Sequence, residues 1–394
     1  MGFYSEPAFF VCAALAAIPA LVLGYLEKPL RGYGFAVSAV FLLLLFWNSP
    51  TQLAAFAFFI VLAVSLCMWV QRLFANESEH AVVLYRIALA LSIMPLFVYK
   101  VAEVFGSNLL GFLGISYITF KTVQVLIETR DGLIKEMSVF ECLYFLIFFT
   151  PFTSGPVMRS RPFVEEIRSA LPRATYFEGV SLGLVRLVAG AAYKFAFAAF
   201  TGWAAWFLPE YIGYASPAAA CASELSAALF YGLNMFFDFA GYSLMAIGLG
   251  SLFGVTVPRN FNMPFVSVDI KDFWNRWHIS LSHWLRDFVF MRLTRVLMKR
   301  KLVKSRLTTA CLGYMANMTL MGCWHGLNAD YLIYGIYHGL LLAGCEAFQR
   351  KSKFYKAHKN DKWFKVVSWA VTMIAVFIGF SLFSGQISQL ILGA

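Results

Sequence analysis

The sequence predicts an all-α, polytopic membrane protein. Of its 394 residues, 60% are hydrophobic and only 13% are charged, whereas soluble domains carry about 25% charged residues. A soluble chain of this size could not bury so much apolar surface, so a lipid bilayer must supply part of the apolar environment. The basic residues, which give a net charge of +11, occur in short blocks between apolar runs, as in membrane proteins with positively charged cytoplasmic loops.

The apolar runs predict the individual helices in chain order. A spanning helix needs about 20 apolar residues, and because several runs are shorter or interrupted we expect roughly 10–12 transmembrane helices together with re-entrant and interfacial ones. No internal repeat or flexible linker is evident, which predicts a single domain over residues 1–394. The approximate runs are 7–27, 33–49, 52–70, 82–100, 107–127, 138–153, 178–207, 217–237, 241–256, 274–298, 307–326, 331–349 and 367–390.

Two basic segments, 292–306 and 350–365, predict the orientation in the membrane. The positive-inside rule assigns both to the cytoplasm, so the two apolar runs between them form a hairpin whose turn, residues 324–330, faces outward. Lys28 and Arg31 follow the first run and predict an outside N-terminus, and the last run leads to an outside C-terminus. His325 lies 19 residues after Arg306, or about 28 Å along a helix, toward the outer side of the bilayer.

The cysteines do not predict a disulfide framework or a metal site. There are seven of them, an odd number, most lie within apolar runs, and no C-x-x-C pair occurs. We therefore expect no bound metal. The N-terminal stretch has no basic residue before the first apolar run, so we expect an anchored first helix and not a cleaved signal peptide.

Histidines in or beside apolar runs indicate a functional site, because an ionisable group is costly inside a membrane. His325 lies at the predicted hairpin turn between Trp324 and Gly326, and an imidazole pKa near 6.5 suits a general base at neutral pH. His278 falls within residues 264–291, which we predict to form one amphipathic interfacial helix with Asp269 as its N-cap.

Two further histidines, His283 and His338, are interpreted as structural. His283 lies five positions after His278 and therefore on a different side of a helix. His338 belongs to the second helix of the hairpin, where we expect it to pack or to bridge polar groups.

Five segments resemble, in the same order, the sequence blocks of the membrane-bound O-acyltransferases. Within that superfamily the closest resemblance is to the branch that transfers D-alanine to teichoic acid, carried by Thr153–Pro156, Arg286–Leu293 and Tyr334–Leu340. The run Asn328–Tyr331 departs from that branch, which usually has a Thr-Trp-Tyr type run there. The five segments are Gly114–Phe120, Phe237–Ser243, Leu252–Pro264, Phe273–Ser282 and Trp324–Gly326.

The resemblance implies a fold and a reaction. The fold would be a ring of helices around a central funnel and tunnel in the bacterial cytoplasmic (inner) membrane, with a catalytic core at about 107–349. A D-alanyl thioester on the phosphopantetheine arm of an acidic carrier protein would enter from the cytoplasm. Its acyl group would pass to a hydroxyl of an envelope polymer outside, with no cofactor bound to the chain itself and no nucleic-acid partner.

The resemblance also implies roles for particular residues. His325 would be the general base, and His278 would position the thioester or support charge. The candidates for lining the tunnel are Trp324, Trp277, Tyr117 and Asp238.

The basic block 292–306 is a candidate docking surface for the carrier, because charge can steer an acidic partner and apolar residues can hold it. A topology signal alone is an equally open interpretation of this block. The docking candidates are Arg292, Arg295, Leu297, Met298, Lys299 and Arg300.

Other functions stay open at this point. An O-acetyltransferase of alginate or peptidoglycan would use the same fold but would not need an aminoacylated carrier. A transporter could use His278 and His325 as a proton relay, although no repeat of the kind many transporters show is evident.

Overall fold

The computed structural model describes residues 2–385, and these residues form helices and connecting segments without a β-strand. They divide into two compact units. Of the described residues, the first unit contains 2–191 and 242–258, and the second contains 192–241 and 259–385. The predicted position of the C-terminus concerns residues outside the described range.

The first unit contains eight helices, several of which begin with a recognisable signal. Pro7 and Pro50 occupy the first turns of α1 and α3, where the missing N–H costs nothing. Ser138 and Glu141 form a capping box at the start of α6. The helices are α1 (Pro7–Tyr25), α2 (Arg31–Phe46), α3 (Pro50–Ala75), α4 (Ala81–Val104), α5 (Ile115–Arg130), α6 (Val139–Ile147), α7 (Ser160–Arg168) and α8 (Arg173–Ala191).

The second unit contains the chemistry-bearing segments. Helix α10 contributes its residues up to Gly241 to this unit and the rest to the first unit. The helices are α9 (Ala198–Ile212), α10 (Pro217–Leu252), α11 (Ile270–Arg276), α12 (Ile279–Leu285), α13 (Met291–Lys299), α14 (Arg306–His325), α15 (Ala329–Lys351), α16 (Lys353–His358) and α17 (Lys362–Phe383), with π-helical turns at Ala192–Phe197 and Arg286–Phe290.

Among the described residues, six helical stretches are long and apolar enough to cross a membrane. This confirms the prediction of an all-α, multi-pass membrane protein. The apolar helix α2 is shorter than these, and the predicted total of ten to twelve spans would also require such shorter or more polar helices. The six stretches are α1, α3, α4, Arg173–Ile212, α10 and α17.

Two predictions from the apolar pattern were wrong in detail. The runs 217–237 and 241–256 form one 36-residue helix, α10, because nothing between them interrupts the helical hydrogen bonds. Residues 264–291 do not form one amphipathic helix. Asp269 does cap α11, its side chain accepting a hydrogen bond from the Asp272 N–H at 2.8 Å, but the helix breaks at His278.

The hairpin between the two basic segments is present as predicted. Helix α14 ends at His325, and α15 begins at Ala329 after Asn328, whose side chain caps the helix by accepting from the Tyr331 N–H. A Cβ added to Gly322 would lie only 3.2 Å from the Gly335 Cα. The two backbones can approach this closely because both positions lack a side chain, as at many helix contacts in membranes.

Candidate active site

His278 lies at a break in the chain and not within a helix. Its φ of +44° and ψ of 49° put it in the left-handed region between α11 and α12, where a non-glycine residue is strained. The side chain is buried, with 5% of its surface exposed. The edge of the Phe239 ring packs against the imidazole, with 4.7 Å between ring centroids.

Asn260 holds this break in place. Its side-chain oxygen accepts from the Ser280 hydroxyl at 2.8 Å and lies 3.1 Å from His278 Nδ1, and its backbone oxygen accepts from the Ile279 N–H at 2.9 Å. Because an amide oxygen can only accept hydrogen bonds, the contact with His278 requires the proton on Nδ1. The neutral imidazole then carries its lone pair on Nε2.

His325 is the last residue of α14 and is only partly buried. The Trp324 ring lies 4.6 Å from the His325 ring and 6.3 Å from the His278 ring, measured between centroids. Phe383 of α17 packs edge-on against His325 at 4.8 Å. His278 and His325, which lie nearly fifty residues apart in the sequence, are therefore both close to the indole ring of Trp324.

The three remaining tunnel candidates occupy different surroundings. Trp277 is buried among aromatic rings, stacked on Phe273 at 5.5 Å and tilted against Phe380 at 5.0 Å. Asp238 forms an ion pair with Lys194. Tyr117 is buried in α5 of the first unit. Their role in a tunnel stays a prediction.

Sequence reasoning missed Asn260 and Phe239 as members of this site. Both lie inside segments that resemble the family, Asn260 in Leu252–Pro264 and Phe239 in Phe237–Ser243. Their position in those segments was the available signal, but only the fold shows that both reach His278.

A cavity of about 340 Å³ lies along one face of α14 within the second unit. Tyr314, Asn317, Met318 and Met321 line it at helical spacing, and His325 is the next residue on that face. The opposite wall includes Trp274 of α11, and Met291 at the start of α13 also contributes. The cavity therefore lies beside the helix that ends at His325, and one of its lining residues, Met291, directly precedes the basic block 292–306.

Three polar side chains at or near this cavity have buried atoms without a hydrogen-bond partner among the described residues. They are Asn317 Oδ1, Trp274 Nε1 and both ring nitrogens of His338. His338 is fully buried, and its ring lies 5.2 Å from the Trp274 ring. Because an unpaired buried polar atom costs about 1–3 kcal/mol, these atoms mark a place where a polar ligand or water would be stabilised.

The docking candidates lie on α13 and directly after it. Arg295, Met298, Lys299 and Arg300 are exposed, whereas Arg292 and Leu297 are half-buried. Val296 and Leu302 add exposed apolar surface. The helix thus presents exposed cations and exposed apolar side chains together.

No group of three His, Cys, Asp or Glu side chains within residues 2–385 is arranged to hold a metal ion.

Comparison with known proteins identifies the family. The model of the membrane-bound O-acyltransferase (MBOAT) family matches residues 34–388. The chain belongs to the membrane-bound O-acyltransferase family. It is accordingly an acyltransferase of the membrane.

The MBOAT relatives fall into two groups. The chain is 35% identical over 395 residues to the teichoic acid D-alanyltransferase of Bacillus subtilis (strain 168), covering 97% of this chain and 98% of the relative. It is 36% identical over 403 residues to the enzyme of the same name from Streptococcus thermophilus, covering 98% and 96%. The probable alginate O-acetylase AlgI of Pseudomonas syringae pv. tomato is 32% identical over 286 residues, covering 70% of this chain and 49% of the relative.

Proposed function

We propose that this MBOAT protein transfers a D-alanyl group from a carrier-protein thioester to a hydroxyl of teichoic acid. The observation that carries the proposal is the full-length similarity to two teichoic acid D-alanyltransferases, which leaves almost none of either chain unmatched. The alginate relatives match only about half of their own length. An acetyltransferase is therefore the second candidate.

The proposed reaction needs a base and close positioning of the two substrates. The hydroxyl proton passes to His325, the hydroxyl oxygen bonds to the thioester carbonyl carbon, and the carbon–sulfur bond breaks. The sulfur leaves as a thiolate, which takes the proton back from His325. Because a thiol has a pKa near 8.5 it is a good leaving group, so one general base and correct orientation are sufficient without a nucleophilic cysteine.

His278 would hold the donor. Its Nδ1 proton is directed at Asn260, so Nε2 can accept a hydrogen bond from a substrate. The ammonium group of a D-alanyl donor is a suitable partner, whereas an acetyl group has no such donor.

The cavity along α14 would admit the phosphopantetheine arm from the cytoplasmic side. On α14 the cavity is lined from Tyr314 to Met321, about 10 Å of helix, and His325 lies one turn further on. The unpaired polar atoms of Trp274, Asn317 and His338 would bind the amide groups of such an arm. An acidic carrier would then dock on the exposed cations of α13, with the orientation that the positive-inside rule predicts.

Reversing the charges of Lys299, Arg300 and Lys301 to glutamate should weaken carrier binding at least tenfold. Like charges would then oppose an acidic carrier, and electrostatic steering would be lost. Binding is measured by titrating purified protein with loaded carrier at low and high salt. The matched control reverses Lys351, Lys353 and Lys356, which lie in the other basic segment. Equal carrier affinity for both triple variants, with topology intact, would contradict the proposal that the carrier docks on α13.

The function itself is tested with a radiolabelled donor. Membranes containing this protein are given a carrier loaded with labelled D-alanine, and in parallel a labelled acetyl donor, together with teichoic acid. We expect label to reach the polymer only from the D-alanyl carrier. Transfer only from the acetyl donor by folded protein would favour the acetyltransferase candidate and reject the D-alanyl proposal.

A further inference from the structure

A second cavity in the second unit has a volume of about 380 Å³, and neither His278 nor His325 lines it. It is bounded by α15, α16, α17 and the segment Val268–Ile270. Its walls are largely apolar, including Leu341, Phe348, Val371 and Ala375. Asp269 and Gln349 also line it, but they are hydrogen-bonded to each other at 2.9 Å.

The rim of this cavity is basic. Lys359 and Lys365 line it, are exposed, and have no carboxylate within 4.0 Å in the described part of the chain. The nearby Asp361 carboxylate lies against the imidazole of His358, with 2.8 Å between Oδ2 and Nδ1. Two lysine charges are therefore available at the mouth of an apolar cavity.

The dimensions match one leaflet of a bilayer. Ala375 lies ten residues along α17 from Lys365, which corresponds to about 15 Å of helix, half of a hydrocarbon core about 30 Å thick. Next to the lysines, Trp363 is 50% exposed, as expected of an aromatic residue at the membrane–water boundary. In the orientation that the basic segments predict, the lysines would lie at headgroup level and the apolar walls at acyl-chain level.

We infer that this cavity is a binding site for one anionic phospholipid of the cytoplasmic leaflet. The phosphate would lie between Lys359 and Lys365, and an acyl chain would follow Phe348 and Val371 toward Ala375. Basic cavities between helices on this side of a membrane are suited to anionic headgroups. The charge of the rim selects an anionic headgroup, and the depth of the apolar wall selects a ligand with a chain.

The site is connected to the start of α11. Asp269, which lines the cavity, caps α11, and Gln349 joins it to α15. Helix α11 leads directly to His278. A bound lipid would therefore stabilise the start of α11, the helix that precedes the chain break at His278. The lipid composition of the membrane would in this way affect the position of His278.

The test uses the purified full chain in detergent with an equal mixture of phosphatidylglycerol and phosphatidylcholine of identical chains. Native mass spectrometry measures which lipid is retained, and thermal unfolding measures the stabilisation that it gives. Each basic residue near an anionic surface contributes about fivefold in affinity, so two lysines should favour phosphatidylglycerol about 30-fold. Neither readout depends on the proposed transfer activity.

Two variants and their matched controls decide the outcome. Lys359→Gln with Lys365→Gln should abolish the preference, whereas Lys353→Gln with Lys356→Gln, in the same segment but outside the cavity, should keep it. Ala375→Phe should block the chain, whereas Ile374→Phe, on the exposed side of α17, should not. Equal retention of both lipids, or a preference unaffected by both cavity variants, would overturn the site. Displacement of the lipid by glycerol 1-phosphate alone would overturn the role of the chain.

Discussion

Replacement of His325 by alanine is expected to reduce D-alanyl transfer about 10²–10⁴-fold, the usual contribution of a general base. His325 ends α14 and is partly exposed beside Trp324, where a substrate hydroxyl could reach it. The measurement is the initial rate of label transfer from loaded carrier to polymer. Carrier binding should not change, because α13, the proposed docking helix, is untouched.

His80→Ala is the matched control for this prediction. His80 is an exposed histidine at the start of α4, and its loss should leave the rate within about twofold of wild type, as for most surface changes. His325→Gln keeps a polar side chain of similar size but cannot accept the proton, so it should be as inactive as alanine. Substantial transfer by a well-folded His325→Gln protein would exclude His325 as the base.

The helices were largely predictable from hydrophobicity, because a segment inside a bilayer must satisfy its own backbone hydrogen bonds. The hairpin of α14 and α15 followed from the two basic segments that flank it. The break at His278 did not follow, because the hydrophobic spacing of Phe273, Trp277 and Leu281 continues through it at a helical period. Helical periodicity shows which side chains are buried, but it does not show whether the backbone between them remains helical.

The site was predictable only in part, for a similar physical reason. His325 and Trp324 are neighbours in the chain, so their joint placement at a turn could be expected. Asn260 is 18 residues from His278 in the chain, and no periodicity links the two. Such a contact depends on the course of the segment before α11, which contains only a single 3₁₀ turn, Pro264–Val266, and no longer helix that a pattern could indicate.

The left-handed backbone at His278 gives Asn260 its importance. A strained residue of this kind costs about 1–3 kcal/mol and persists only where its surroundings compensate. Here the compensation comes from the bonds of Asn260 to the residues that follow the break, Ile279 and Ser280, and to His278 itself. The same contacts that stabilise the break also orient the imidazole, so positioning and local stability are coupled at one amide.

Asn260→Ala should therefore lower kcat/KM for D-alanyl transfer about 10–100-fold. Loss of a buried hydrogen-bond partner costs about 1–3 kcal/mol, and about 1.4 kcal/mol corresponds to tenfold in rate. The alanine removes the acceptor for the Nδ1 proton, so His278 can adopt either tautomer and its Nε2 no longer presents a lone pair reliably. Steady-state kinetics against loaded carrier measures the effect, and thermal unfolding checks that the protein is folded.

Asn260→Asp and Asn262→Ala separate orientation of the imidazole from a general loss of structure. The aspartate retains an oxygen acceptor for Nδ1, so it should recover much of the activity lost in the alanine variant. Asn262 lies two residues away and its side chain accepts from Arg259 at 2.7 Å, without contact to His278, so its replacement by alanine should have little effect. If Asn260→Asp were as inactive as Asn260→Ala while both melted like wild type, the amide would act through something other than the histidine tautomer. A loss of activity in Asn262→Ala equal to that in Asn260→Ala would show that the whole segment before α11, and not one hydrogen bond, sets the geometry of His278.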